Sequence, residues 1–332
     1  MDGSHNLKHA YGHRYKIPIT APVNFEKKET IIDPYVLGVL LGDGHITDNV
    51  TFSSADQEIV DNIKALLDPD YEVHKLAAKM AFSIRKIKNT ANYDPQLKVP
   101  IPVPNKYMAA IRRYNLDVTA IDKYIPKDYL LSSVADRIAL LQGLMDTDGY
   151  ISKDGSLIEF STISEKLKDD FVFLVQSLGG VCRVKKKISG RRDLDGNKKL
   201  GKLCYNIGIK LPKSINPFRL TRKANRLSEK ALEPYRYIKS IEYIEDQECQ
   251  CIYIDSKEHL YLTNDFIVTH NSTIAVIILL YMLYRLLCLK NPYTYYGLQE
   301  IDKITISLMN ITIENARGVA LDKMNQMILA SP

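Results

Sequence analysis

Two aspartates in this sequence stand at the same place in two related stretches. Val36-Leu-Gly-Val-Leu-Leu-Gly-Asp-Gly44 and Leu140-Leu-Gln-Gly-Leu-Met-Asp-Thr-Asp-Gly149 are apolar runs that end in an acid and a glycine. Aligning Gly38 with Gly143 also aligns Asp43 with Asp148 and Gly44 with Gly149. A carboxylate at a helix C-terminus works against the helix dipole. Two such carboxylates side by side repel each other unless a cation lies between them. Mg²⁺ takes carboxylate and phosphate oxygens. A centre of that kind activates water and stabilises the oxygens of a phosphodiester under attack. The plain alternative is a pair of turn aspartates, since Asp-Gly is common in turns. The matching glycines and the similar order of elements downstream favour a paired site.

The elements that must position these acids follow from periodicity and punctuation. The first run reads as a helix over 31–41, with Asp33 as N-cap and Pro34 at its first position. Gly38 and Gly42 are four apart and share one face. Glycine weakens a helix, so this pair calls for close approach of another helix. A strand over 45–52, a helix over 56–67, strands over 71–74 and 81–86, a proline-rich loop over 89–105 and a short helix over 106–114 follow. The second run reads as a helix over 129–145. A hairpin of 150–151 and 157–161, a helix over 165–179 and a basic hairpin of 181–187 and 202–209 come after it. The order repeats, which is an internal duplication of architecture.

Both runs resemble the LAGLIDADG (dodecapeptide) motifs of homing endonucleases. Leu140–Gly149 is a close match, and Val36–Gly44 keeps the final acid. The resemblance implies an α+β fold of two αββαββα-type halves, over 31–120 and 121–236, forming a pseudo-two-fold saddle on DNA. It implies Asp43 and Asp148 as the catalytic, Mg²⁺-binding acids, with the Gly42 and Thr147 positions beside them in the metal set. Asp146 matches the earlier, non-catalytic acid of the motif. Lys123-Tyr-Ile-Pro126 fits the lysine that often precedes the second motif helix. Its amine would position or polarise water, or offset developing charge. The counterpart in the second half is less well marked, with Lys223 a weaker fit. The expected partner is double-stranded DNA with a long asymmetric target, cut on both strands by a monomeric endonuclease. The other class open to such a fold is a DNA-binding, maturase-like protein that does not cut.

The charge agrees with a polyanion partner. Formal net charge is +6, and basic residues cluster between Arg183 and Lys202. Arg183, Lys185, Lys187, Arg191, Arg192, Lys198 and Lys199, with Arg85 and Lys86 in the first half, are the expected DNA contacts. The five cysteines lack zinc-ligand spacing, and no signal peptide is visible. The apolar run over 274–284 is too short to span a bilayer. The expectation is a cytoplasmic, DNA-associated protein of a phage or microbial host, with no membrane contact.

Past residue 237 the texture becomes that of a small all-β module. Residues 251–271, ending Phe-Ile-Val-Thr-His-Asn271 before Ser272, resemble the C-terminal splicing region of inteins. In that chemistry the side-chain amide of Asn271 attacks its own carbonyl carbon and breaks the bond to Ser272. His270 polarises that carbonyl or protonates the departing amine, and His259 assists. Ser272 supplies the accepting hydroxyl. An intein also needs an N-terminal β-rich block, for which residues 1–30 leave no room. The expectation is therefore cleavage at Asn271–Ser272, or splicing with a separately encoded N-terminal part. Residues 272–332 resemble the beginning of a C-terminal host segment. Ser272-Thr273 and the apolar helix after it are similar to the end of a P-loop, as in a phage terminase large subunit or another P-loop ATPase.

Overall fold

Asp33 starts the first helix, α1 (Pro34–Asp43). Its side chain accepts from Tyr35 N and Val36 N, and Pro34 sits in the first turn. Every residue of α1 through Leu41 is buried. A helix that is apolar on all sides belongs in the interior. The computed structural model describes residues 8–9, 12–13, 15–17, 19–87, 105–192, 198–228, 233–240, 242–243, 254, 260–269, 272–299 and 321–329. The chain forms two compact units, residues 1–242 and 243–332.

In the first unit, α1 leads into a hairpin, not into the single strand expected over 45–52. Its arms are β1 (Gly44–His45) and β2 (Thr51–Ser53), with Gly44 opposite Phe52. The polar pair Asp48-Asn49 lies in the connection, where short polar side chains favour a turn. Helix α2 (Gln57–Leu66), strands β3 (Tyr71–Lys75) and β4 (Ala81–Lys86), and helix α3 (Lys106–Arg113) complete this half. The sheet order is β1-β2-β4-β3.

The helix expected over 129–145 is two helices, α4 (Lys127–Leu130) and α5 (Val134–Thr147). Ser133 causes the break, because its hydroxyl accepts from Asp136 N and starts a new helix. Strands β5 (Gly149–Ile151) and β6 (Ile158–Thr162), helix α6 (Glu165–Ser177), strands β7 (Val181–Arg192) and β8 (Lys198–Lys210), and the single turn α7 (Thr221–Ala224) follow. The second sheet runs β5-β6-β8-β7, the same connectivity as the first. The fold is α+β, with an αββαββα order used twice.

Each sheet buries one face. Phe52 stacks on Phe82 at 5.5 Å in the first half, and Phe160 stacks on Phe171 of α6 at 4.1 Å in the second. The irregular lead-in is packed on this core. Val23 N donates to Ser177 O at 2.9 Å. Arg137, fully buried, donates to Val23 O, to Ser132 O (3.0 Å) and to Ser177 O (3.0 Å). Lys16–Ile17 pairs antiparallel with Arg236–Tyr237.

In the second unit, Tyr261–Leu262 pairs with Val268–Thr269, and Ser272–Leu287 is a helix. The strand expected over 301–308 lies outside the described residues, as does that expected over 251–254 apart from Ile254, while the described residues 239–240 and 242–243 of the strand expected over 239–244 are not in a strand. Of the helix expected over 311–328, Asp322–Leu329 is described. Among the described residues no helix is long and apolar enough to cross a membrane.

Candidate active site

Helices α1 and α5 touch through their backbones. A Cβ on Gly38 would lie 2.5 Å from Leu140 O and 2.9 Å from Gly143 Cα, and one on Gly143 would lie 2.9 Å from Gly38 Cα. No other residue type permits this approach, which answers why two glycines sit inside otherwise favourable helices. A Cβ on Gly42 would strike Thr147 Oγ1 and reach within 3.5 Å of Asp148 Oδ2. The two helices therefore stay in contact to their C-terminal ends, where Asp43 and Asp148 are found.

A lysine closes each end. Lys123 Nζ donates to Leu40 O (3.0 Å), Leu41 O (3.0 Å), Gly42 O (3.3 Å) and Gly44 O (2.8 Å). Lys223 Nζ donates to Met145 O (2.7 Å), Asp146 O (2.7 Å), Thr147 O (3.5 Å) and Gly149 O (2.6 Å). The two clamps match residue for residue under the alignment of Gly38 with Gly143. A helix C-terminus leaves carbonyls unpaired and carries negative dipole charge, and a buried ammonium answers both. Burial lowers each lysine to a pKa of about 8, while the charge of Asp148 on both, with Asp43 on Lys123 and Asp146 on Lys223, pulls the other way. Lys223 is thus the full counterpart of Lys123. The three protons of each ammonium are shared among four carbonyls.

The clamps let two carboxylates occupy an unfavourable place. Asp148 has a pKa of about 6, raised by burial first and by the charge of Asp43 second, with Lys123 and Lys223 opposing. Burial also raises Asp43, and the same two lysines lower it. Both residues keep solvent access. Among the described residues no group of three or more His, Cys, Asp or Glu side chains could hold a metal. The available set is two carboxylates plus the Gly42 and Thr147 carbonyls. These carbonyls make the longest contact in each lysine clamp, 3.3 and 3.5 Å, and each keeps a lone pair. An all-oxygen set of this kind suits a hard divalent cation.

Asp146 has a different role. It is buried, and it accepts from Tyr35 Oη (2.9 Å), Leu220 N (3.1 Å) and Arg219 N (3.3 Å). It fixes the loop that carries Lys223. Sequence reading missed Tyr35 and this loop anchor, because the partners are over 70 positions apart and lie in no common motif.

The basic ribbon is sorted by register. Val184 and Lys186, although exposed themselves, are opposite the buried Ile207 and Tyr205, so the register puts them on the side of the sheet that faces the core. Arg183, Lys185 and Lys187 are opposite Gly208, Asn206 and Cys204, and are exposed on the other face. Arg191 and Arg192 pair with Lys199 and Lys198 at the far end of the ribbon. In the first half, Arg85 is on the open face and is paired with Glu72 at 2.8 Å. Lys86 alternates to the side of Ile84 and Phe82, so the pair Arg85 and Lys86 does not share one surface. Residues 259, 270 and 271 lie outside the described residues, and Ser272 opens the helix Ser272–Leu287.

Residues 135–205 match the family model of the LAGLIDADG-like domain. The matched span includes nearly all of α5, Asp148, the hairpin of β5 and β6, α6 and β7 with its exposed triplet, and ends within β8. The chain is 27% identical over 256 residues to the replicative DNA helicase DnaB of Mycobacterium intracellulare, a match covering 75% of this chain and 36% of that protein. The chain thus spans about a third of that relative's length. Among solved structures it is similar to the homing endonuclease I-DmoI in complex with DNA and Ca, with 14% identity, a TM-score of 0.34, and coverage of 59% of this chain and 97% of that one. A second I-DmoI structure, with DNA and Mn, gives 14% identity, a TM-score of 0.29, and coverage of 54% and 89%.

Proposed function

We propose that residues 31–236 are a divalent-metal-dependent DNA endonuclease of the LAGLIDADG type. The observation that carries this reading is the pair of lysine-clamped helix ends, which bring Asp43 and Asp148 together between two similarly built sheets. Asp43 and Asp148, with the Gly42 and Thr147 carbonyls, are the residues that would hold the metal. When bound, Mg²⁺ supplies an activated water and neutralises charge on the phosphodiester. The chain's own part is to hold the acids at fixed places and to keep Lys123 and Lys223 beneath them as positive charge. Arg183, Lys185 and Lys187 lie on one exposed face and are set to meet phosphates and base edges in a groove. Arg191, Arg192, Lys198 and Lys199 extend the basic ribbon, and Arg85 adds a smaller contribution from the first half.

The segment 237–271 is read as the C-terminal splicing region of an intein, with His259, His270, Asn271 and Ser272 in the roles given above. Residues 272–332 are read as host sequence, of a terminase or another P-loop ATPase. A 27% match to a replicative helicase is compatible with a host of the second kind.

The test uses purified protein, Mg²⁺ and plasmids carrying uninterrupted host-type genes, with Asp148→Asn in parallel. A discrete double-strand cut that Asp148→Asn abolishes is expected. Tight binding with no cut in any such plasmid would replace this reading by a binding-only protein. For the junction, the intact mass of stored protein is expected to show release of the segment after Asn271. Persistence of the full mass, without a succinimide product, would remove the cleavage reading.

A further inference from the structure

Each lysine clamp is also tied to the half opposite the helix end that it closes. Lys123 closes α1 of the first half, yet its carbonyl accepts from Ser164 Oγ at 2.6 Å. Ser164 is the N-cap of α6 in the second half. Two residues on, Ile125 N donates to Asp170 Oδ2 of α6 at 2.8 Å. The second clamp reverses the arrangement. Lys223 closes α5 of the second half, and the residues just before it are tied to the start of α2 in the first. Thr221 donates to Glu58 through its N–H (3.0 Å to Oε1) and its hydroxyl (2.6 Å). Arg222 meets Asp56 as a fork, Nε to Oδ1 at 2.8 Å and Nη2 to Oδ2 at 2.7 Å. Helices α2 and α6 hold equivalent places in the two halves. Each half therefore adds a brace to the clamp of the other.

We propose that Asp56, Glu58 and Arg222 are positioning residues that hold Lys223 beneath Asp148 only while the two halves are docked. The proposal rests on the endonuclease reading for its effect on cutting, but not for the brace itself. The tie on Lys123 runs through a buried serine and a backbone amide, whereas the tie on Lys223 is largely ionic and exposed. The Asp56–Arg222 pair is therefore the link that salt and mutation reach first. Because Lys223 serves the end of α5, loosening it acts on the Asp148 side of the site. One strand is then cut more slowly than the other.

The experiment compares wild type with Asp56→Ala, Arg222→Ala, the double variant, and the charge swap Asp56→Arg with Arg222→Asp. A supercoiled target plasmid is cut in Mg²⁺, and nicked and linear products are followed. Each single variant is expected to slow the second cut about fivefold, the scale of an exposed forked ion pair, so that nicked circles accumulate. The double variant is expected to be no slower than either single one, and the swap to recover most of the rate. In the metal-free protein, amide exchange at residues 220–224 is expected to speed up several-fold in both single variants and to recover in the swap. Equal slowing of both strands, additive effects in the double variant, or unchanged exchange would overturn the proposal. If wild type binds DNA and does not cut it, the endonuclease reading fails by itself. Exchange at 220–224 then still decides whether the brace exists.

Discussion

Tyr35 Oη donates to Asp146 Oδ2 at 2.9 Å, joining the first turn of α1 to the last turn of α5. The guanidinium of Arg219 lies 4.3 Å above the Tyr35 ring, and Leu220 N completes the set around the same carboxylate. The bond thus ties the helix pair to the loop that delivers Lys223. Burial raises the pKa of Asp146, and the bonds from Leu220 N and Tyr35 hold it down. Removing the phenol leaves a buried carboxylate one donor short. Tyr35→Phe is expected to cost about 2 kcal/mol, the range for a hydrogen bond to a charged group. Urea unfolding of the two proteins at neutral pH measures it.

The contact of Gly38 with Gly143 sets the spacing of the helices. Gly143→Ala would put a methyl group 2.9 Å from Gly38 Cα and from Val39 N, with backbone on both sides and no side chain to move away. Overpacking of this kind costs about 1–3 kcal/mol, against a gain of about 1 kcal/mol from alanine in a helix. A net loss of up to about 2 kcal/mol is expected, together with lower cleavage at saturating DNA. A variant more stable than the parent would contradict backbone contact at this point.

Asp148 carries a pH signature. Its pKa of about 6 is above that of an unfolded aspartate, so the folded state holds the proton more tightly. Folding stability is therefore lost as pH rises from about 4 to about 6, and the full cost remains above that window. Asp148→Asn escapes the cost. In EDTA, its stability is expected to match wild type near pH 4 and to exceed it by about 1 kcal/mol at pH 7. That figure is well below the full displacement because the residue keeps solvent access. Thermal melts across this range provide the check. A variant less stable than wild type at pH 7 would show that ionised Asp148 does not destabilise the fold.

The exposed triplet on β7 is a salt-sensitive surface. If Arg183, Lys185 and Lys187 each neutralise one phosphate, replacing all three with glutamine lowers the slope of log affinity against log salt by about 2.7. The same change at Lys186, on the core face beside Tyr205, is expected to leave the slope within about 0.5 of wild type. Titrations in Ca²⁺ at several salt concentrations separate the two outcomes. Equal effects at Lys186 and at its neighbours would mean that the register does not select the contact face.

The sequence by itself determined the duplicated helix order, the N-cap at Asp33, the glycine pair and the equivalence of Asp43 with Asp148. All of these are local signals: periodicity within a helix, a cap next to its first turn, and an acid at a fixed distance from a glycine. It also marked the ribbon as basic. Tertiary structure decided which of those charges share a face, because a one-residue step along a strand turns Lys186 away from Lys185. It decided that Lys223 equals Lys123, because the likeness lies in four carbonyls at a helix end and not in flanking residues. It decided too that Asp56 and Glu58 of α2 hold the second clamp. Those side chains meet their partners across more than 160 positions. Only the docking of the two halves brings them within hydrogen-bond reach.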